Sequence, residues 1–410
     1  MSRINELIRK LCPNGVEYKK VWQITTWDKK YNSVDKYMQP KIIKYNYLLA
    51  NQLNEIIVDN GDVFILETGI NNTKKYTNED LAGDNLCNGK IIAIPWGGTP
   101  NVKYYNGKFV TGDNRIAVSN DINVLNTKFL YYIFENKMNE IADFYRGSGI
   151  KHPEMKKVLN LDIPVPPIKV QEEIVRILDK FGELEVELEA ELEARKSQYE
   201  FWRENVFSSN DNLVKLDDIC NITAGGTPSK THSEYWEDGT IKWLSSTVCE
   251  NKKGISEVTN YITELGLSKS SAKLLKPGTT LIAMVGATIG KVAYLDYEAC
   301  TNQNVAGLYP KNINELDTSY LYHACRNLYS TFLDYANGKF SMASLGYIKN
   351  LEIPLPDINE QRRIAKLLDK FDTLINDISD GLPAEIELRR EQYEYYRNKL
   401  LSFEELSVSE

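Results

Sequence analysis

The stretch Leu161-Asp-Ile-Pro-Val-Pro-Pro-Ile-Lys-Val-Gln-Glu-Glu-Ile-Val-Arg-Ile-Leu-Asp-Lys-Phe181 is written a second time as Leu351-Glu-Ile-Pro-Leu-Pro-Asp-Ile-Asn-Glu-Gln-Arg-Arg-Ile-Ala-Lys-Leu-Leu-Asp-Lys-Phe371. The two align without gaps at an offset of 190, with eleven identities: Leu161, Ile163, Pro164, Pro166, Ile168, Gln171, Ile174, Leu178, Asp179, Lys180 and Phe181. A repeat of this kind governs the whole architecture. Working outward, Thr111, Asn114 and Ala117 stand near the counterparts Thr301, Asn304 and Ala306, and Val21-x-x-Ile24 matches Leu216-x-x-Ile219. The unit is therefore about 190 residues, used twice. Each copy opens with a part rich in Gly, Asn, Thr and Tyr, carrying short β-type runs such as Ile91 to Pro95 and Thr280 to Val285 between turn-forming glycines. Each closes with Pro-x-Pro, which stiffens an extended approach, and then a charged segment of helical periodicity.

The helical segments carry apolar seams. In the first, Ile174, Leu178, Phe181, Leu188, Leu192, Tyr199, Trp202 and Val206 fill a/d places of a heptad, with Glu185 and Arg195 as exceptions. In the second, Ile364, Leu368, Phe371, Ile375, Ile378 and Leu382 begin the same series. The phase then changes, and Ile386, Arg389, Tyr393, Tyr396 and Leu400 follow. The offset between copies grows there from 190 to 194, an inserted tetrad, and Gly381 and Pro383 predict a local kink. A seam of nearly 40 residues, roughly 60 Å long, is more than a small adjacent domain covers, so the helices are expected to pack on each other. The expected fold is α+β: two mixed, mainly-β globules separated by two long antiparallel coiled-coil helices in a pseudo-two-fold repeat. The expected segments are 1–160 and 211–350 for the globules, and 161–210 and 351–410 for the helices.

The net charge of −8 opposes polyanion binding only until it is divided. Segment 1–160 holds 22 basic and 17 acidic residues, a net +5; 161–210 is −6, 211–350 is −1 and 351–410 is −6. The acidic excess belongs to the rods, which leaves the globules free to carry basic faces. The longest uncharged apolar stretch, Pro277 to Gly290, has fourteen residues, short of the roughly 20 that span a bilayer. With no secretory signal at Met1–Glu6, the expected location is the cytoplasm.

Reactive groups are scarce. His152, His232 and His323 are far apart, and the six cysteines form no Cys-x-x-Cys pair, so they read as reduced, mostly buried thiols and no metal site is expected. Gly286-Ala-Thr-Ile-Gly-Lys291 is one residue short of a P-loop and is followed by Val292 where Ser or Thr belongs. Asp357 and Glu360 could be paired carboxylates, but the first copy has Pro167 in place of Asp357. Nor is there an Asn/Asp-Pro-Pro-aromatic tetrapeptide for holding a target base. Two similar globules without reactive groups point to recognition, and no catalytic residue is assigned.

On these residues the chain resembles the DNA-specificity subunit of type I restriction-modification systems over nearly its whole length. The likeness is carried by Ile163-Pro-Val-Pro166 through Phe181 and its copy at 353–371, by Gln198-Tyr199 and Gln392-Tyr-Glu-Tyr-Tyr-Arg397, and by Gly225-Gly-Thr-Pro-Ser229, Tyr235-Trp236 and Gly286–Lys291 in the second globule. The first globule, with Pro95-Trp-Gly-Gly98 and Phe109–Ala117, is similar to a different class of recognition domain. The resemblance implies a subunit that reads a bipartite, asymmetric site in double-stranded DNA and performs no covalent chemistry. It implies two methyltransferase subunits docked on the helices, and endonuclease/translocase subunits in the full complex. S-adenosylmethionine, ATP and magnesium are then expected on those partners, with no cofactor bound by this chain. A non-enzymatic scaffold with paired domains and a nuclease with an unfamiliar site are the alternatives.

Candidate phosphate contacts are Lys29, Lys30, Lys74, Lys75, Lys103 and Arg115 in the first globule and Lys230, Lys252, Lys253 and Lys291 in the second. Candidate base readers are Asn101, Asn302, Gln303 and Asn304, because amide side chains form hydrogen-bonding forks. Asn114 and Asn304 recur in both copies and so are expected to serve structure, while Trp96 and Trp236 read as core anchors. Residues 184–195 form a tandem tetrad, Leu-Glu-Val-Glu, Leu-Glu-Ala-Glu, Leu-Glu-Ala-Arg. One more tetrad adds about 6 Å of helix, against about 3.4 Å per base-pair step, which suggests a ruler.

Overall fold

The computed structural model describes residues 2–70, 74–208, 212–255, 258–337, 342–376 and 381–406. The chain forms two compact units, one made of 1–185 with 389–410 and the other of 186–388. The division falls within the helices rather than beside them, so the helical segments are not separate bodies.

In the first unit a six-stranded sheet has the order Thr25–Trp27, Asn114–Ser119, Cys87–Pro95, Lys103–Thr111, Val63–Leu66, Tyr76–Thr77. All neighbours are antiparallel except Val63–Leu66 and Lys103–Thr111. The run Ile91–Ile94 is uniformly apolar because the strand is buried on both faces. Ile92 and Ile94 join the core under helix Thr127–Asn136, while Ile91 and Ala93 join a second cluster with Phe109 and Ile116. The second unit repeats the device in a five-stranded sheet, where Ile282 faces the helical core and Leu281 and Ala283 the opposite cluster. A three-stranded sheet, Asn260–Ile262, Ile241–Leu244 and Cys300–Thr301, lies within the same unit.

The repeated stretch shows why its identities matter. Asp162–Pro164 and Glu352–Pro354 are the extended approaches, each paired antiparallel with a strand at the start of its copy, Tyr18–Lys20 and Leu213–Lys215. Gln171 is fully buried: its Oε1 accepts from the Asn126 N–H at 2.8 Å, and its Nε2 donates to the carbonyls of Val124 and Pro166. Gln361 makes the same bracket to Asp317, Glu315 and Pro356. Asn126 and Asp317 in turn cap the helices Thr127–Asn136 and Thr318–Asn327. One buried amide per copy thus fastens a capped helix to the start of the helical rod.

The first rod is a single helix, Ile168–Ser208, of 41 residues. The second comprises Ile358–Asn376 and Leu382–Leu400, so Gly381 and Pro383 stand at the restart, and Ile378 lies outside the described residues. Each unit buries the tail of the other copy's rod. In the first unit Phe181 stacks on Tyr396 at 5.5 Å and Glu185 accepts from Arg390 at 2.6 Å, so the two segments run antiparallel. Ile174 and Leu178 are buried beside Leu400 and Leu401 in this core, with Tyr393 packed against it. In the second unit Tyr199 lies against Phe371 and Phe207 against Tyr320, in a core with Ile364 and Leu368 and with Leu192 at its margin. Ile386 is buried and Leu188 half-buried. Trp202 departs from the expected seam: it is 42% exposed beside the exposed Phe201, while Arg203 turns inward. A straight helix drifts about 20° per heptad from a 3.5-residue repeat, which carries position 202 out and positions 203 and 207 in.

Burial of the exchanged tail predicts that Leu400→Ala costs about 2–5 kcal/mol, read as a lower midpoint in chemical denaturation. Leu388→Ala, at a side chain 52% exposed, shifts stability by no more than about 0.5 kcal/mol. Equal shifts for the two variants contradict this core assignment.

Candidate nucleic-acid interface

The first unit carries an open cleft lined by Asp28, Lys29, Lys30, Ile42, Lys44, Tyr45, Asn46, Tyr47 and Asn85. Lys29 Nζ lies 4.5 Å from the centre of the Tyr47 ring and 3.9 Å from Asp113. Lys30 and Lys44 are exposed. Cations interleaved with aromatic rings and amides suit a phosphate backbone and base edges at once. Lys44 to Tyr47 went unselected at the level of single residues, yet Lys41-Ile-Ile-Lys-Tyr-Asn-Tyr47 carries the signal in its alternation of basic and aromatic residues.

Four of the expected contacts in this unit are engaged elsewhere. Arg115 is 3% exposed; it donates to the Asn114 carbonyl at 2.8 Å and to Asp113 at 2.9 Å, and lies 4.3 Å over Trp96. Asp28 beside it is raised by burial, against the opposing pull of the Ile116 N–H and of Arg115. Arg115 is therefore an internal brace rather than a phosphate ligand. Lys103 donates to the carbonyls of Glu67 and Gly69, and burial pushes its ammonium down to about 8. Asn101 donates to the carbonyls of Thr68 and Thr99, and Lys75 pairs with Glu67 at 2.8 Å. These three grip the loop Glu67–Gly69, because a long polar side chain beside unpaired carbonyls satisfies them. Lys74 is exposed, and Asn114, as expected, is buried and holds the Leu66 carbonyl.

In the second unit the loop Gly225–Ser229 is wedged into the fold. A Cβ on Gly225 would stand 2.2 Å from the Thr301 carbonyl, and one on Gly226 would meet Ser271. Trp243 donates to the Gly226 carbonyl and Trp236 to that of Ser229, so both tryptophans anchor this loop. The consequence is an exposed edge where Thr227 donates to Gln303 at 2.6 Å, with exposed Lys230 close by in sequence. Asn302 instead accepts the Asn304 N–H and shapes its own turn. Lys252 is exposed, 3.5 Å from Glu250, and Lys291 is half-buried. Lys253 is a correction: its Nζ lies 2.7 Å from both Asp369 and Ser319 and 4.7 Å over Tyr294, so this half-buried ammonium is engaged within the fold.

Gly286–Lys291 is followed by the strand Val292–Leu295, not by the helix whose N-terminus a P-loop needs. All six cysteines are buried and unpaired, and burial pushes Cys220 and Cys249 up to about 12. Among the described residues no cluster of His, Cys, Asp or Glu is placed to hold a metal ion, and no helix is long and apolar enough to cross a membrane.

Two exposed surfaces of different composition on one repeated frame define a class of paired-domain proteins. The chain belongs to the type I restriction-modification DNA specificity family: the model of the type I restriction modification DNA specificity domain matches residues 27–195 and again 209–388. It is 37% identical over 304 residues to the type I restriction enzyme EcoR124I/EcoR124II specificity subunit of Escherichia coli, covering 70% of this chain and 74% of that one. A putative type I restriction enzyme specificity subunit of Haemophilus influenzae is 31% identical over 344 residues, 77% of this chain and 83% of that one. The fold is similar to the crystal structure of a type I restriction-modification S subunit from M. genitalium, with a TM-score of 0.60 at 18% identity over 94% of this chain and 96% of that one. It is also similar to the HsdS subunit of Thermoanaerobacter tengcongensis, with a TM-score of 0.51 at 16% identity over 95% and 97%. The chain is thus a DNA sequence-specificity subunit of the type I class.

The cleft predicts a specific contrast. Lys44→Ala weakens binding to all duplexes alike and lowers the slope of log K against log salt by about 1, measured by fluorescence anisotropy on the chain in complex with its restriction-modification subunits. Lys103→Ala lowers thermal stability and leaves that slope unchanged. A salt slope that moves with Lys103 and not with Lys44 contradicts the assignment.

Proposed function

We propose that each unit reads one half of a bipartite, asymmetric DNA target, and that the rods set the interval between the halves and dock two methyltransferase subunits. One observation carries this reading. The two units share a frame down to the Gln171 and Gln361 brackets, yet they present different surface groups: exposed Lys30, Lys44 and Tyr47 beside half-buried Lys29 in one, exposed Lys230 and Gln303 beside half-buried Thr227 in the other. The same frame with different faces suits two unlike half-sites held by a common partner.

The docking reading is supported by exposed aromatics that also recur. Phe201 and Trp202 correspond to Tyr395 and Tyr396 at the offset of 194, and Phe201 and Tyr395 are 62% and 59% exposed. Large exposed aromatics are the usual anchors of an interface, and duplication matches a partner present twice.

On this reading the chain is the non-catalytic member of a complex. The methyltransferase subunits use S-adenosylmethionine on adenine, and endonuclease/translocase subunits use ATP and magnesium. Adenine methylation requires extrusion of the base, so this chain must present each half-site to a neighbouring active site.

The test is genome-wide adenine methylation by single-molecule sequencing, in cells carrying the chain with its methyltransferase and in cells lacking only the chain. A split motif of two unequal parts that vanishes with the chain is the expected result. An unchanged methylome with an active methyltransferase overturns the reading and favours a scaffold.

A further inference from the structure

One carboxylate is used twice in the repeat, with different partners each time. In the first unit Asp179 accepts from Tyr132 Oη at 2.5 Å and from Lys128 Nζ at 2.7 Å. In the second its counterpart Asp369 accepts from His323 Nε2 at 2.7 Å, Ser319 Oγ at 3.0 Å and Lys253 Nζ at 2.7 Å. Tyr132 and His323 occupy the same place on the capped helices Thr127–Asn136 and Thr318–Asn327, as do Lys128 and Ser319. Two positions of the capped helix, filled by Tyr132 and Lys128 in one copy and by His323 and Ser319 in the other, therefore meet the same aspartate of the repeat. What the two copies share is the joint and not the chemistry of its arms.

The second unit adds a tie to the edge strand of its five-stranded sheet. Lys253 belongs to the edge strand Lys252–Lys253, and its backbone N–H donates to Asp372 Oδ2 at 3.3 Å, one turn beyond Asp369. Asp372 is itself held by Arg326 at 2.6 Å. Lys252, the next residue in the strand, is exposed. The capped helix and the edge strand are thereby fastened to a single turn of helix Ile358–Asn376.

Apolar packing between a globule and a rod is non-directional, so rotation about the contact is set by directional bonds: the Gln361 bracket at the start of the rod and, about two turns further along, the Asp369 joint. Hydrogen bonds to a carboxylate are short and directional, and His323 is fully buried, so misaligning its bond leaves a polar group without a partner. A globule of this size is roughly 20 Å in reach. A rotation of about 10° at its base therefore moves the reading surface by about 3.5 Å, one base-pair step.

We infer that Asp369, with Asp179 as its counterpart, is a positioning residue that locks each recognition domain on its rod and so holds the two half-sites to a single spacing. The inference rests on the bipartite reading proposed above. It goes beyond rod length, because a ruler of fixed length measures nothing if its ends swivel.

The experiment sequences the methylome of cells carrying the full chain with its methyltransferase, as wild type, Lys253→Met, Asp369→Asn and His323→Tyr. The wild type gives a split motif with one spacer length; absence of any split motif overturns the bipartite reading, and this inference with it. Lys253→Met and Asp369→Asn are expected to keep the bases of both half-sites and to methylate a second spacing one base pair away. Discrimination against that spacing falls about tenfold or more, the factor supplied by one hydrogen bond to a charged group. His323→Tyr, which borrows the first unit's partner, retains the single spacing. A single spacing in both Lys253→Met and Asp369→Asn, or altered half-site bases in either, overturns the inference. Should Asp369→Asn fail to fold, judged by thermal melting, Lys253→Met decides alone.

Discussion

Burial of each rod's tail in the core built by the other copy is the constraint on which the rest depends. Tyr199 and Phe207, from the end of the first rod, complete the hydrophobic core of the second unit; Tyr393, Leu400 and Leu401, from the end of the second rod, complete that of the first. A helix of 41 residues has more apolar surface than one small sheet can cover, and exchange of the tails is how the sequence satisfies it. The first unit is not a contiguous stretch of chain, and the boundaries of both fall inside the rods, so the linear order of segments is a poor guide to what folds with what. The core-packing residues at the offset of 194, Tyr199 with Tyr393 and Phe207 with Leu401, are the trace of this exchange in the sequence.

On that frame the structure separates what must be constant from what can vary. Gln171 and Gln361 bracket the same backbone groups, and Asp179 and Asp369 take the same place in the joint, because the attachment of globule to rod is one problem solved twice. The exposed faces answer to no such demand. In the first unit Lys44, Tyr45 and Tyr47 border an open cleft, and in the second a loop pressed down by Gly225 and Gly226 brings Thr227 to Gln303. A specificity subunit needs this division, since a change of target must leave the frame and its partners undisturbed.

Much of the fold was legible in the sequence, for physical reasons that differ by element. The strand at Ile91–Ile94 was readable because burial on both faces demands an unbroken apolar run. The extended approaches were readable because proline permits little else at Ile163–Pro166 and Ile353–Pro356. The rods were readable by period, but only to the point where a straight helix drifts from seven-residue spacing, which is why Trp202 faces outward and Arg203 inward. The site was less legible. Arg115, Lys103 and Lys253 are spent on carboxylates and carbonyls that lie 34 to 116 residues away or beside them in a turn, and nothing in the identity of a lysine discloses such a neighbour. The cleft of Lys44 to Tyr47 had a signal in basic and aromatic alternation, and the edge at Thr227 and Gln303 had one in the glycine pair that forces close approach.

On the reading proposed above, a helical frame carries two readers and sets the interval between their targets. The most direct measurement inserts one Leu-Glu-Ala-Glu tetrad after Glu191, within the tandem Leu184–Arg195, and determines the methylated motif by single-molecule sequencing. The added turn lengthens the helix by about 6 Å, against about 3.4 Å per base-pair step. The account predicts that the unread interval widens by one base pair, at most two, with both half-sites unchanged. An insertion variant that methylates the original motif at its original interval contradicts it.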